Sequence, residues 1–122
     1  MDSIAHQSVL QAGDTTIAVL PSGLDKIYSS SHTQLAHQIT DSYGLLVTEY
    51  PEKTEPHTVN FAARNRIIAS LSEAVLITEA SLKSGDLHTA RFALEPGIPV
   101  DAVPGPITGC IRPLCNNHWQ MV

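Results

Sequence analysis

Positive charge is scarce in this sequence. Seven Lys and Arg residues stand against twelve Asp and Glu, a formal net charge of −5 with histidine neutral. Non-specific affinity for nucleic acid comes mainly from neutralised phosphates, so coating of nucleic acid through bulk charge is excluded, while a local basic pocket is not. Long apolar runs are also missing, and none approaches the roughly 20 residues needed to cross a bilayer. The start, Met1-Asp2-Ser3-Ile4, has neither a basic n-region nor an apolar h-region, so a cytoplasmic protein without a secretory signal is expected. Cysteine is limited to Cys110 and Cys115, which with His118 read Cys-x4-Cys-x2-His. A structural zinc site asks for four ligands and a fourth is not evident, so these read as reduced thiols and no metal is expected. Recognised hydrolytic motifs, G-x-S-x-G and H-E-x-x-H, are absent, as is the G-x-G-x-x-G fingerprint of dinucleotide sites. His6, His32, His37, His57 and His88 are scattered and read as structural or exposed. Asp25 and Glu79 could meet as paired carboxylates, but nothing offers them a nucleophile to activate.

What is present suits one small α/β domain. The chain has 122 residues, 43% hydrophobic and 16% charged, enough for a single core. Short runs rich in β-branched residues at 15–20, 44–47 extending to 49, and 74–78 read as buried parallel strands, with a weaker fourth at 99–103. Segments 3–12, 31–41, 61–73 and 86–95 carry apolar residues at helical spacing. The alternation α-β-α-β-α-β-α-β predicts a Rossmann-like parallel sheet flanked by helices. Ligands of such sheets sit beyond the carboxyl ends of the strands, which points to the loops at 21–30, 50–60 and 79–85.

Four of the seven cations, Arg64, Arg66, Lys83 and Arg91, fall between positions 64 and 91. In Asn60-Phe61-Ala62-Ala63-Arg64-Asn65-Arg66-Ile67-Ile68, Asn60 reads as an N-cap. At about 100° per residue Arg64 lies on the side of Ile67 and Ile68, and Arg66 on nearly the opposite face. A cation on the buried stripe near a helix N-terminus is costly unless an anion joins it. The alternatives are an ion pair of Arg64 with Glu49 or Glu79, and a solvated Arg66. The turn Glu79-Ala80-Ser81-Leu82-Lys83-Ser84-Gly85-Asp86 follows a strand: Lys83 supplies charge, Gly85 permits close backbone approach, and Ser84 or Asp86 can cap the next helix. It reads as a phosphate-holding turn or as an ordinary capped connection. Ser22-Gly23-Leu24-Asp25, after the first strand, is by itself a turn signal.

Together these stretches resemble the bacterial DNA-processing protein A family (DprA/Smf). The resemblance rests on Asp2-Ser3-Ile4-Ala5-His6, Thr16-Ile17-Ala18-Val19-Leu20, Ser22-Gly23-Leu24-Asp25 with Tyr28, and Glu49-Tyr50-Pro51. It continues through Asn60-Phe61, Arg64-Asn65-Arg66-Ile67-Ile68-Ala69-Ser70-Leu71-Ser72, Glu79-Ala80, Ser84-Gly85, Thr89-Ala90 and Ala102-Val103-Pro104-Gly105. It implies a family domain over residues 1–108, lacking its first strands, and an irregular tail at 109–122. It further implies single-stranded DNA binding without catalysis and without a cofactor, in natural transformation, with transfer of the strand to the RecA recombinase and self-association as a homodimer or another oligomer. The DNA or phosphate contacts it implies are Ser22, Gly23, Arg64, Asn65, Arg66, Lys83, Ser84 and Gly85.

Departures accompany the resemblance. The chain begins where the family has its Gly-Ile-Asp-x-x-Ala-His helix. Pro21 stands where glycine is usual, His88 replaces an aliphatic residue, Asp101 replaces an aromatic one, and the closing Gly-x-Asn-x-Leu-Ile motif is missing. Absent strands would leave apolar sheet surface exposed. Two further readings follow: a binder of a nucleotide or phosphate ligand, and a degenerate fragment defined by its fold alone.

Overall fold

The computed structural model describes residues 2–27, 30–78 and 85–103. Helices and strands alternate as the sequence predicts: α1 (Asp2–Gln11), β1 (Ile17–Val19), α2 (Ser30–Asp41), β2 (Leu45–Val47), α3 (Thr58–Ser70), β3 (Val75–Ile77), α4 (Gly85–Leu94) and β4 (Val100–Ala102). The strands are shorter than their β-branched runs because only the central residues find ladder partners. The turn motif at Glu79 to Ser84, Tyr28, and the tail with Cys110, Cys115 and His118 lie outside the described residues.

The chain divides into two compact units, Met1–Arg64 and Asn65–Val122. In the first, β1 and β2 pair in parallel, with Ile17 opposite Leu45, Ala18 opposite Leu46 and Val19 opposite Val47. Ala18, Leu35 and Ile39 form its buried cluster, and Leu10 and Leu46 pack against it. In the second, β3 and β4 pair in parallel, Val75 opposite Val100 and Ile77 opposite Ala102. Its core is built from small and β-branched residues, Ala69, Val75, Ile77, Ala90 and Ala93. The expected parallel pairing across helical crossovers holds within each unit.

Three helices stop in the same way. After α1, Gly13 adopts φ 79° and Asp14 N–H donates to the Val9 carbonyl over 3.1 Å. After α4, Gly97 adopts φ 82° and Ile98 N–H reaches the Ala93 carbonyl at 2.9 Å. After α2 the left-handed position is filled by Tyr43, at φ 62°, with Gly44 N–H bonded to the Ile39 carbonyl at 2.8 Å. The left-handed turn satisfies carbonyls that the helix end would otherwise leave open.

One expectation is corrected. Asn60 is not the cap of α3, which begins two residues earlier at Thr58. The Asn60 amide already closes a turn on the His57 carbonyl at 2.9 Å. Its side chain is therefore released for a long-range bond, described next.

Candidate functional site

The loop that leaves β1 is fixed almost entirely by backbone carbonyls. Ser22 is 1% exposed, and its hydroxyl donates to the Lys26 carbonyl at 2.8 Å, closing the loop on itself. Its carbonyl in turn accepts the Thr48 hydroxyl at 2.7 Å, which ties it to the end of β2. Asn60 Nδ2 donates to the Pro21 carbonyl at 3.1 Å, tying the same loop to the first turn of α3.

Gly23 explains itself by close approach. Its N–H donates to the Thr54 carbonyl at 3.0 Å, and a side chain there would run into the backbone carbonyls of Pro51 and Glu52. Only a residue without Cβ lets these two loops lie backbone to backbone. Lys26 and Glu55 close the pair from outside with an ion pair of 2.8 Å. The bond from Glu55 holds the Lys26 ammonium above its ordinary value of 10.5. Because the shift is upward, whatever this pair contributes is present below the ordinary lysine value and fades as pH rises through the shifted one. The pair is exposed, so the contribution is small.

Arg64 is half-buried, as its place on the apolar side of α3 predicts, whereas Arg66 is exposed. The Arg64 guanidinium donates through Nη1 to the Val19 carbonyl at 2.9 Å, at the carboxyl end of β1. It also lies over the ring of Phe61, 5.8 Å from the centroid, within reach of a cation–π attraction. Leu20 N–H pairs across to the Val47 carbonyl, so alternation sends the Val19 carbonyl to the other side of the strand. The arginine therefore meets a carbonyl that β2 does not use.

A cavity of about 400 Å³ opens beside this arginine within the first unit. Its wall is apolar, with Leu35, Ile39 and Leu46, and Ser22 and Arg64 both line it. Ser3 and His6 of α1 and His32 of α2 supply further polar groups. Ser3 Oγ and His32 Nε2 are 3.2 Å apart, and His6 Nδ1 is 2.8 Å from the Thr16 hydroxyl. Ser3 and His6 lie one turn apart on α1, and only the packing of α1 against α2 brings His32 to them. Neither histidine could have been singled out from spacing.

Of the residues expected to hold an anion, the structure brings Ser22, Gly23 and Arg64 to one strand end of the first unit. Asn65, half-buried, and Arg66 belong to the second unit. Gly85 opens α4, and Lys83 and Ser84 lie outside the described residues. Thr48, which secures the loop, carries no signal beyond ordinary polarity, and Asn60 signals an N-cap rather than its bond to Pro21. Among the described residues no group of three or more His, Cys, Asp and Glu is placed to hold a metal ion. None of their helices is long and apolar enough to cross a membrane.

A parallel α/β fold with a cation and a glycine turn at the carboxyl end of its first strand defines a Rossmann-like protein, a fold class whose ligands sit at that edge. The family described as DNA recombination-mediator protein A matches residues 1–120, and the chain belongs to that family. It is 48% identical to protein Smf of Escherichia coli over 107 residues, 88% of this chain and 29% of that protein. It is 38% identical to the DNA processing protein DprA of Streptococcus pneumoniae over 120 residues, 98% of this chain and 42% of that one. The chain thus spans well under half the length of these curated relatives. Among solved structures, DprA from Streptococcus pneumoniae superposes with a TM-score of 0.80 at 36% identity, covering 95% of this chain and 42% of that one. DprA from Helicobacter pylori, a structure described for its single-stranded DNA binding mode, gives 0.72 at 24% identity over 88% of this chain and 59% of that one.

Proposed function

We infer that the chain binds single-stranded DNA and that Arg64 receives a backbone phosphate at the carboxyl end of β1. The observation that carries this reading is a half-buried guanidinium beside a cavity, at the strand end where this fold class takes ligands. Family membership supplies the choice of DNA over other anions. Gly23 lets the two loops meet backbone to backbone, and buried Ser22 acts by shaping the loop. Asn65, Arg66, Lys83, Ser84 and Gly85 are proposed as phosphate contacts on the strength of the family resemblance. Binding without catalysis, a cytoplasmic setting, transfer of the strand to the RecA recombinase and homodimer formation belong to the same reading. Self-association gains support from Ile17 and Leu45, which are opposite in register and 51% and 56% exposed.

The test is fluorescence anisotropy with labelled oligonucleotides across a salt series. Binding is expected to weaken as salt rises. Arg64→Ala is expected to lose about 1–3 kcal/mol of binding, as for other charge-assisted contacts. Circular dichroism of the variant separates a lost contact from a lost fold. A folded wild-type chain that binds no oligonucleotide at low salt sinks the reading.

A further inference from the structure

We propose that the free edge of β1 docks the carboxyl-terminal end of another polypeptide, taken up as an extended strand parallel to β1 with its terminal carboxylate on Arg64. The pairing of β1 with β2 shows which backbone groups are available. The Leu45 N–H donates to the Thr16 carbonyl and the Leu20 N–H to the Val47 carbonyl, so Thr16, Ala18 and Leu20 face β2. Ile17 and Val19 therefore turn their N–H and carbonyl groups to the opposite side. Among the described residues no strand pairs with β1 there, because the first sheet consists of β1 and β2 alone. Arg64 takes the Val19 carbonyl at 2.9 Å, which leaves the Ile17 N–H, the Ile17 carbonyl and the Val19 N–H along this edge. The edge carries none of the usual protection against pairing, since Thr15 to Leu20 contains neither charge nor proline.

An incoming parallel strand uses these groups in order. One of its residues accepts the Ile17 N–H; the residue two further on donates to the Ile17 carbonyl and accepts the Val19 N–H. The next ladder bond would go to the Val19 carbonyl, where the Arg64 guanidinium already sits. Pairing thus stops at the arginine, and a chain that ends there brings its carboxylate to the cation that stopped it. Arginine and carboxylate then form a charge-assisted pair. The surroundings suit apolar side chains. The cavity of about 400 Å³ borders β1 at Ala18, Val19 and Leu20, and Leu35 of α2 and Phe61 of α3 line it. Ile17, at the other end of the edge, is 51% exposed. Side chains of the docked strand alternate between the face of Ile17 and Val19 and the face of Ala18, and both faces are apolar. A second copy of β1 fits this edge less well, because it arrives with α1 and α2 packed on it, whereas a chain end arrives alone. The site goes beyond the DNA reading and shares Arg64 with it.

The site is tested on the full chain by fluorescence anisotropy with the pentapeptide Thr-Ile-Ala-Val-Leu, labelled at its amino end. Saturable binding is expected, and amidation of the carboxyl end should weaken it about tenfold. N-methylation of the penultimate amide removes the donor to the Ile17 carbonyl and should also weaken binding about tenfold. Methylation of the last amide, which points away from β1, should leave affinity unchanged. Ile17→Pro removes the N–H of the free edge without touching the ladder to β2, and about tenfold weaker binding is expected. Should that variant fail to fold, the methylated peptides read the same bonds from the ligand. No binding of the pentapeptide, equal binding of its amide, or equal losses from the two methylations overturns the proposal. Self-association that Ile17→Pro abolishes and the peptide leaves intact assigns the edge to a second copy and overturns it as well. Oligonucleotide binding without peptide binding removes this site and leaves the DNA reading standing, and the reverse result removes the DNA reading alone.

Discussion

The two units follow one plan, a parallel strand pair with helices, yet they fill it differently. The second unit closes its core with alanine: Ala69 and Ala93 are fully buried and Ala90 nearly so, letting helix backbone approach strand backbone. The first unit uses the larger Leu35 and Ile39 and still leaves a cavity of about 400 Å³ beside Arg64. Small residues packed to contact leave no space for a ligand, whereas large residues spaced apart with polar groups between them do. The proposed contact at Arg64 therefore lies beside open volume, while the described core of the second unit is closed by alanines.

The strongest way to break this contrast is to enlarge an alanine in each unit. Ala93→Leu forces extra methylenes into a site with 0% exposure and is expected to cost about 3 kcal/mol, the upper part of the usual overpacking range. Ala36→Met faces the cavity and should change stability by less than about 1 kcal/mol, because space for the side chain exists. Urea unfolding of the two variants reads the difference. Similar losses at both positions would show that the cavity is not available volume.

Element order and the exposure of Arg64 and Arg66 were legible because they follow from periodicity, which is a local property. The β-branched runs at Ile17 and Val75 and the apolar spacing of the helices carried that information directly. The distinction between the arginines needed only the angle per residue. The site around Arg64 was half legible. Gly23 and Ser22 could be marked as a turn, but not that Ser22 would be buried with its hydroxyl turned inward. Thr48 acts across 26 residues and Asn60 across 39, distances over which single-sequence patterns are silent. Asn60 also misled: its type suits an N-cap, but the helix wins one more turn from the His57 carbonyl and the side chain finds Pro21 instead.

Thr48 gives a sharper test of the first unit at smaller amplitude. Thr48→Val keeps the shape and removes the hydroxyl that reaches the Ser22 carbonyl, leaving a buried acceptor unsatisfied. About 1–2 kcal/mol of stability should be lost, and DNA affinity should fall if the loop positions the phosphate. A stability loss with unchanged affinity would make the loop a structural brace and assign binding to other residues.

The smallest effect distinguishes the helix ends of the two units. Tyr43 and Gly97 occupy equivalent left-handed positions, at φ 62° and 82°. A residue with Cβ meets a steric penalty there that glycine escapes, while glycine costs more conformational entropy on folding. Tyr43 is 93% exposed, so its ring contributes little packing to offset the strain. Tyr43→Gly is therefore expected to stabilise the chain by about 0.5 kcal/mol, and Gly97→Ala to destabilise it by about 1 kcal/mol. Thermal midpoints of the two variants should move in opposite directions. A destabilising Tyr43→Gly would mean that the exposed ring is held in place by a contact worth more than the strain it imposes.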